Sequence, residues 1–340
     1  MNNKSVSVHI VTYNSADDII DCIEAVMAQN YLVKKIVVVD NASTDGSADK
    51  VRTFYHQFKS DSPAAFLVGH EAMNSAREIK QYPTIDLLEN ELNTGFAPAH
   101  NQAIAATETD YVLVLNPDLT LAPDYISRLI TQMENNPQIG SATGKLLLKG
   151  DYGLVDSTGL RMNRARRAFD RGAGEPAAQW TQSGSVIGVS GAAAVYSRRM
   201  INDISVDGEF FDADFFAYKE DVDVAWRAQL FGWQACYDAE AIGYHERGWK
   251  TSGRSTKAMF IRRISYINRY KMIYKNEPAR TMLKTIFISL PYELAAHGYM
   301  LLREPQLITA WKSFFTQLPA LKKKRKYIQT TIKERKKHKI

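Results

Sequence analysis

The chain has 340 residues, 45% hydrophobic and 24% charged, a composition that fits a globular protein and excludes a low-complexity or disordered polymer. The net charge of +6 is unevenly spread: residues 322–339 hold ten Lys or Arg against Glu334, a local +9 that leaves the remainder at −3. A mildly acidic body excludes a nucleic-acid-binding body and confines basic attraction to the C-terminal segment.

In chain order, Val6–Val11 is short, apolar and β-branched, and reads as a buried strand ending in Thr12-Tyr13-Asn14. Residues 16–29 follow as a helix, with Ile19, Ile20, Ile23, Val26 and Met27 at helical spacing. A second strand over 35–39 ends in Asp40-Asn41, and Ser43-Thr44-Asp45 supplies capping candidates for the next helix. Residues 59–83 read as an insertion of mixed character. Then come a strand over 85–88, a helix over 96–107, a strand at Tyr111–Leu115 and a helix over 123–135. This alternation predicts a mostly parallel sheet with helices on both faces.

The second half changes character. Residues 141–148 and 186–195 read as strands, and the Arg-rich stretch 161–174 between them as a loop. Residues 221–230 are expected to be helical, and 234–237 to form a further strand. A strand-like run also ends at Tyr244. From about Ser255 the pattern is helical and amphipathic to the end. Met282–Leu302 is the most apolar stretch, but Lys284, Pro291, Glu293 and His297 make it a poor membrane span. An interfacial helix pair beside a polybasic tail, or a helical hairpin packed on the body, are the two expectations. Cys22 and Cys236 lie far apart without metal-type spacing, which predicts buried free thiols and a reducing compartment. No cleavable signal is visible.

Three strand-like runs end in polar residues, the third in Asn116-Pro117-Asp118. In open α/β sheets ligands bind at the carboxyl ends of strands. These ends therefore predict one site, for a nucleotide and a metal. Asp40 suits the N3–H of a uracil or thymine ring, with Thr12, Tyr13, Asn14 and Asn41 beside it. Asn93 and Asn101 are expected either to touch the ligand or to shape the loop around Gly95 and His100. Asp118 can ligate a hard divalent cation together with phosphate oxygens, with Asn116 holding metal-bound water or a sugar hydroxyl. Glu220, Asp221 and Asp223 cluster at a helix start among aromatics, a setting that raises a carboxyl toward use as a base. A capping cluster is the plain alternative. His245, at a strand end just past these acids, can complete the metal shell or meet a diphosphate.

Taken in order, Thr12-Tyr13-Asn14, the run from Asp40 to Ser47, Asn93-Thr94-Gly95-Phe96-Ala97, Asn116-Pro117-Asp118, Ser190-Gly191-Ala192-Ala193, Glu220-Asp221-Val222-Asp223 and His245 resemble the family-2 inverting glycosyltransferases of GT-A fold, especially the bacterial rhamnosyltransferase-like branch. The resemblance spans about residues 5–250. It implies an α/β class, a Rossmann-like mixed sheet flanked by helices, with a C-terminal amphipathic helical extension. It implies a catalytic domain over 1–250 (donor binding 1–120, acceptor and catalysis 121–250) and a membrane-associating helical region with basic tail over 251–340.

The resemblance also implies Mg²⁺ or Mn²⁺ held by Asp118 and His245, Asp221 as catalytic base beside Glu220, and Gly191 and Ala192 lining the donor sugar. Asn116 departs from the family's Asp-x-Asp pattern, leaving fewer protein ligands for the metal. The implied partners are a nucleotide-diphospho-sugar donor, dTDP-L-rhamnose or a UDP-sugar, a polyprenyl-diphosphate-linked saccharide acceptor and anionic inner-leaflet lipid, with no nucleic acid. The implied setting is cytoplasmic, peripheral on the inner membrane face, in O-antigen, capsule or cell-wall glycan assembly. A sugar-phosphate nucleotidyltransferase would carry a Gly-rich basic loop after the first strand, and residues 12–18 contain neither Gly nor a base. A non-catalytic scaffold of the same fold is the other alternative.

Overall fold

The computed structural model describes residues 4–61, 82–246 and 258–337. Five helices and twelve strands follow in order to residue 204 and beyond: β1 (Val6–Thr12), α1 (Ile19–Met27), β2 (Val33–Asp40), α2 (Ser47–Asp61), β3 (Thr84–Glu89), α3 (Phe96–Ala105), β4 (Tyr111–Leu115), β5 (Leu119–Leu121), α4 (Tyr125–Asn135), β6 (Ile139–Leu148), β7 (Asp151–Ser157), β8 (Leu160–Met162), β9 (Ala168–Asp170), β10 (Gly184–Val186), β11 (Ala193–Ser197) and α5 (Arg198–Ile204), closed by β12 (Gln234–His245). Helix α6 (Glu220–Phe231) precedes β12, and α7 (Met259–Asn276), α8 (Ala279–Arg303) and α9 (Ala310–Lys337) follow it.

The main sheet runs β10-β12-β6-β11-β4-β1-β2-β3, with β5 on β12 and β7 on β6. Strands β4, β1, β2 and β3 are parallel, so their carboxyl ends share one edge. Strand β11 runs antiparallel to β4, with Ala193 opposite Leu115, and so brings residues 190–192 to that edge. In β12, His245 stands opposite Leu119 of β5. Both sheet faces are covered, as near-continuous apolar strands require. Leu113 and Leu115 join Ile19, Ile23, Tyr125 and Leu129 on one face. Val112 and Val114 join Met200, Ile204, Val224 and Phe231 on the other.

Several expectations are corrected. Residues 186–195 are not one strand: β10 and β11 are separated by a loop, because Gly188 lies where a Cβ would come within 2.1 Å of the Ala225 side chain and Gly191 faces α6. The Arg-rich stretch 161–174 is no simple loop, since β8 and β9 pair as a hairpin on which Arg161 and Arg167 cover the Phe169 ring. The strand expected at 234–237 runs on to His245 through a register shift between Tyr237 and Ile242.

Residues 282–302 lie in the single helix α8 rather than a helix pair or hairpin. The basic segment is no free tail: it forms the end of α9, where Lys324 is buried against Asp212 and Asp214, and Arg335 pairs with Asp203. Most of the 59–83 insertion, the expected domain boundary near 250 and the Gly-Trp and Thr-Ser-Gly stretch after His245 lie outside the described residues. Cys22 and Cys236 are free and buried. Among the described residues no helix is long and apolar enough to cross a membrane.

Candidate active site

A cavity of about 490 Å³ opens at the shared strand edge, lined by Asn116, Asp118, Gly191, Ala192, Glu220, Asp221 and His245. Residues expected from separate stretches of sequence thus face one space. The β12–β5 register sets His245 beside Asp118, with His245 Nε2 3.2 Å from Asp118 Oδ1. The other ring nitrogen, Nδ1, meets Asp156 Oδ2 at 2.8 Å. Burial alone would lower the imidazole pKa; the bonds to Asp118 and Asp156 outweigh it and push it up to about 9. Asp156 was not foreseen, since one acid within a strand carries no local signal.

Two donors suit a divalent cation whose shell is completed by substrate oxygens. Asp118 Oδ1 is buried and faces His245 Nε2, whose proton a bound cation would displace, and His245 is oriented from its other nitrogen by Asp156, as metal-binding histidines usually are by a carboxylate. Among the described residues no group of three or more His, Cys, Asp or Glu side chains forms a complete protein cage. The residues therefore fit a hard cation shared with a diphosphate.

Across the cavity, α6 begins with Glu220 and Asp221. Asp221 accepts from the backbone N–H of Val222 at 2.7 Å and of Gly191 at 3.3 Å. Its pKa is raised by burial, partly offset by Lys219 and these two N–H groups. Glu220 is pushed up to about 8 by burial and then by the Asp221 charge, and its Oε2 has no partner. Glu220 therefore holds its proton near neutral pH, while two backbone N–H groups aim at the Asp221 carboxyl. Asp223, grouped with them in the sequence, is structural: it is buried and accepts from Lys275 at 2.8 Å, Asn276 at 2.6 Å and Arg227 at 3.2 Å.

The turn before α6 is strained. Phe216, Tyr218 and Lys219 have φ of 61°, 68° and 76°, which cost L-residues energy. Asn268 of α7 holds it. Its Nδ2 donates to the carbonyls of Phe215 at 2.7 Å, Ala217 at 3.0 Å and Tyr218 at 3.0 Å. Gly95, at φ 92°, packs against the same turn, where a Cβ would lie 2.5 Å from the Phe216 carbonyl oxygen.

The nucleotide-end residues sit at the ends of β1 and β2, with Thr12 opposite Asp40. Thr12 Oγ1 and Asp40 Oδ1 are buried with no hydrogen-bond partner, while Asp40 Oδ2 accepts from Ser43 N. Tyr13 is half exposed. Asn14 accepts from Thr44 N and shapes the loop. Asn41 is spent internally, donating to Gly95 O and accepting from Asn90 and Thr94. Asn93 accepts from Gly95 N, and both ends of the Asn101 amide clasp the Phe211 backbone. Asn41, Asn93 and Asn101 therefore shape loops rather than present free groups. His100 is packed between Phe96 and Phe211, and burial lowers its pKa to about 3.

Residues 7–205 match Glycosyl transferase family 2, and residues 111–321 match Glycosyl transferase family group 2. The chain belongs to glycosyl transferase family 2. It is 21% identical over 239 residues to the poly-beta-1,6-N-acetyl-D-glucosamine synthase of Staphylococcus epidermidis, covering 70% of this chain and 49% of that protein. The enzyme of the same name from Staphylococcus aureus strain MSSA476 is 23% identical over 233 residues, covering 68% and 48%. The chain spans about half the length of these curated relatives.

Among solved structures, GalNAc-T7 with UDP, GalNAc and Mn²⁺ superposes with a TM-score of 0.57 at 13% identity, covering 81% of this chain and 48% of that one. Mannosyltransferase PcManGT from Pyrobaculum calidifontis, with GDP-Man and Mn²⁺, gives 0.52 at 17%, covering 94% and 76%. S. aureus TarS 1–349 gives 0.51 at 14%, covering 97% and 91%. The family-2 glycosyltransferase therefore has a GT-A-like fold: a mixed, largely parallel sheet flanked by helices, with a helical C-terminal region.

Proposed function

We propose that this enzyme is an inverting, divalent-metal-dependent glycosyltransferase using a pyrimidine nucleoside-diphospho-sugar. The observation that carries the reading is that Asp221 faces the same cavity as Asp118 and His245. Asp118 and His245 would hold the cation, Mg²⁺ or Mn²⁺, which supplies charge neutralisation to the donor diphosphate. Asp221 accepts the proton of the acceptor hydroxyl, whose oxygen displaces the diphosphate in line and inverts the anomeric carbon. The backbone N–H groups of Gly191 and Val222 favour the ionised form of Asp221 against its burial, and a protonated Glu220 adds no second charge beside it. Gly191 and Ala192 leave room for the transferred sugar, with Asn116 at its hydroxyls.

The unpartnered Asp40 Oδ1 and Thr12 Oγ1 suit a uracil or thymine ring, with Tyr13, Asn14 and the Asn41 loop framing it. The donor is dTDP-L-rhamnose or a UDP-sugar. Relatives named for an N-acetylglucosamine polymer and a neighbour solved with UDP support the UDP-sugar. The acceptor is a polyprenyl-diphosphate-linked saccharide in bacterial surface-glycan assembly at the inner membrane face. Residues 1–250 carry the donor and catalytic chemistry, and residues 251–340 the membrane-facing helices.

Calorimetric titration with dTDP, UDP, GDP and ADP, each with and without Mn²⁺, tests this reading. Metal-dependent binding of dTDP or UDP is expected. A folded protein that binds no diphosphate would overturn it.

A further inference from the structure

A second cavity, about 670 Å³, lies between the β8–β9 hairpin, α7 and α8. It shares Ala168, Phe169, Tyr218 and Lys219 with the first, so the two spaces adjoin across the turn that precedes Asp221. Its lining is basic: Arg166, Arg167, Lys219, Arg262 and Arg269 against Glu304. Three of these guanidiniums are neutralised locally. Arg166 pairs with Glu277, Arg269 with Glu293 and Arg262 with Glu304. Arg167 meets no carboxylate among the described residues. It is held instead by aromatic faces, 4.3 Å from the Tyr292 ring centroid and 5.0 Å from that of Phe169. A guanidinium fixed by its face keeps its N–H edge for a planar or tetrahedral anion.

Helix α8 forms one wall through Tyr292, Ala296 and Tyr299. Elsewhere on its surface Leu283, Phe287, Leu294 and Leu302 are 67–84% exposed, beside exposed Arg280 and Lys284. One helix thus borders both a cationic cavity and an exposed apolar surface with flanking bases, the pattern of an interfacial helix.

We propose that this cavity is an acceptor subsite that binds the diphosphate of a lipid-anchored acceptor through Arg167, while the lipid lies along the exposed surface of α8. The sugar then extends past Tyr218 and Lys219 toward Asp221. This rests on the glycosyltransfer reading above, but its test is separable.

Full-length protein saturated with UDP and Mn²⁺, which fills the donor diphosphate site, is titrated with farnesyl diphosphate, inorganic pyrophosphate and farnesol. Farnesyl diphosphate should bind saturably, at least tenfold more tightly than either of the others. Arg167→Ala should weaken it roughly tenfold or more, the usual scale for a lost charge-assisted bond. Ala296→Trp, which fills the cavity from α8, should also weaken it, and UDP affinity should be unchanged in both variants. Equal farnesyl diphosphate affinity in wild type and both variants would overturn the proposal, as would equal affinity for pyrophosphate. Binding of UDP without farnesyl diphosphate overturns the subsite alone. Arg167-dependent farnesyl diphosphate binding in a protein that ignores nucleotides supports the subsite and overturns the donor assignment.

Discussion

Replacing Asn268 by alanine should loosen the turn that presents Glu220 and Asp221 without touching the nucleotide end. One buried Nδ2 serves three carbonyls, and the turn it holds contains three non-glycine residues at positive φ. Each lost net bond is worth about 1 kcal/mol, and the carbonyls left unpaired in a buried turn add to that loss. Loss of the amide should therefore lower stability by about 2–4 kcal/mol. Asn268→Asp separates donation from packing: it keeps the shape but aims carboxylate oxygens at carbonyls. Asn268 Oδ1 has no partner, so the donor end is the functional one. Urea denaturation and steady-state kinetics should show both variants destabilised, kcat reduced by about ten- to a hundredfold, and UDP affinity within about threefold of wild type. A silent Asn268→Asp, or a loss confined to nucleotide binding, would refute the reasoning.

Glu220, with its pKa near 8, holds a proton in the folded state that it releases near pH 4.5 when unfolded. The folded chain therefore binds more protons between these values, and stability falls as pH rises from about 4.5 to about 8. Glu220→Gln removes that loss, so its melting temperature relative to wild type should climb across this window and level off above it; a pH-independent gap would contradict the assignment. Lys324→Met should cost about 1–3 kcal/mol in urea unfolding, less than a wholly uncompensated buried charge because Asp212 keeps Lys275. Exposed Lys322→Met should stay within about 0.5 kcal/mol, and equal silence of both would mean that the basic segment is not docked.

The sheet was legible because its strands obey a simple rule: buried apolar runs that stop at polar residues. Tyr111–Leu115 and the β1 and β2 ends follow it to within a residue or two. The rule fails where backbone geometry serves the site. Residues 186–195 look like one strand by hydrophobicity, yet the chain leaves the sheet so that the Gly191 N–H can reach Asp221. The β8–β9 hairpin is only three residues deep on each side and is held by Arg–Phe stacking, which no two-residue alternation encodes.

Partners distant in sequence were the least legible. The charge of 322–339 reads as a tail because its acids lie about a hundred residues away, in Asp212, Asp214 and Asp203. There the ammoniums of Lys275 and Lys324 outweigh burial and hold the Asp212 carboxyl below the usual range. At the site, Asp118, Asp221 and His245 stood out through their order along the chain, whereas Asp156 and Asn268 are visible only once the strands and α7 are in place.

The central claim is that Asp221 removes the acceptor proton in a site whose donor binding does not depend on it. Asp221→Asn, compared with wild type for both nucleotide affinity and sugar transfer, tests it most directly. The variant should fold as wild type, bind dTDP or UDP within about threefold, and turn over slower by about two orders of magnitude or more. Turnover within about tenfold of wild type, in a variant that still binds the donor, would contradict it.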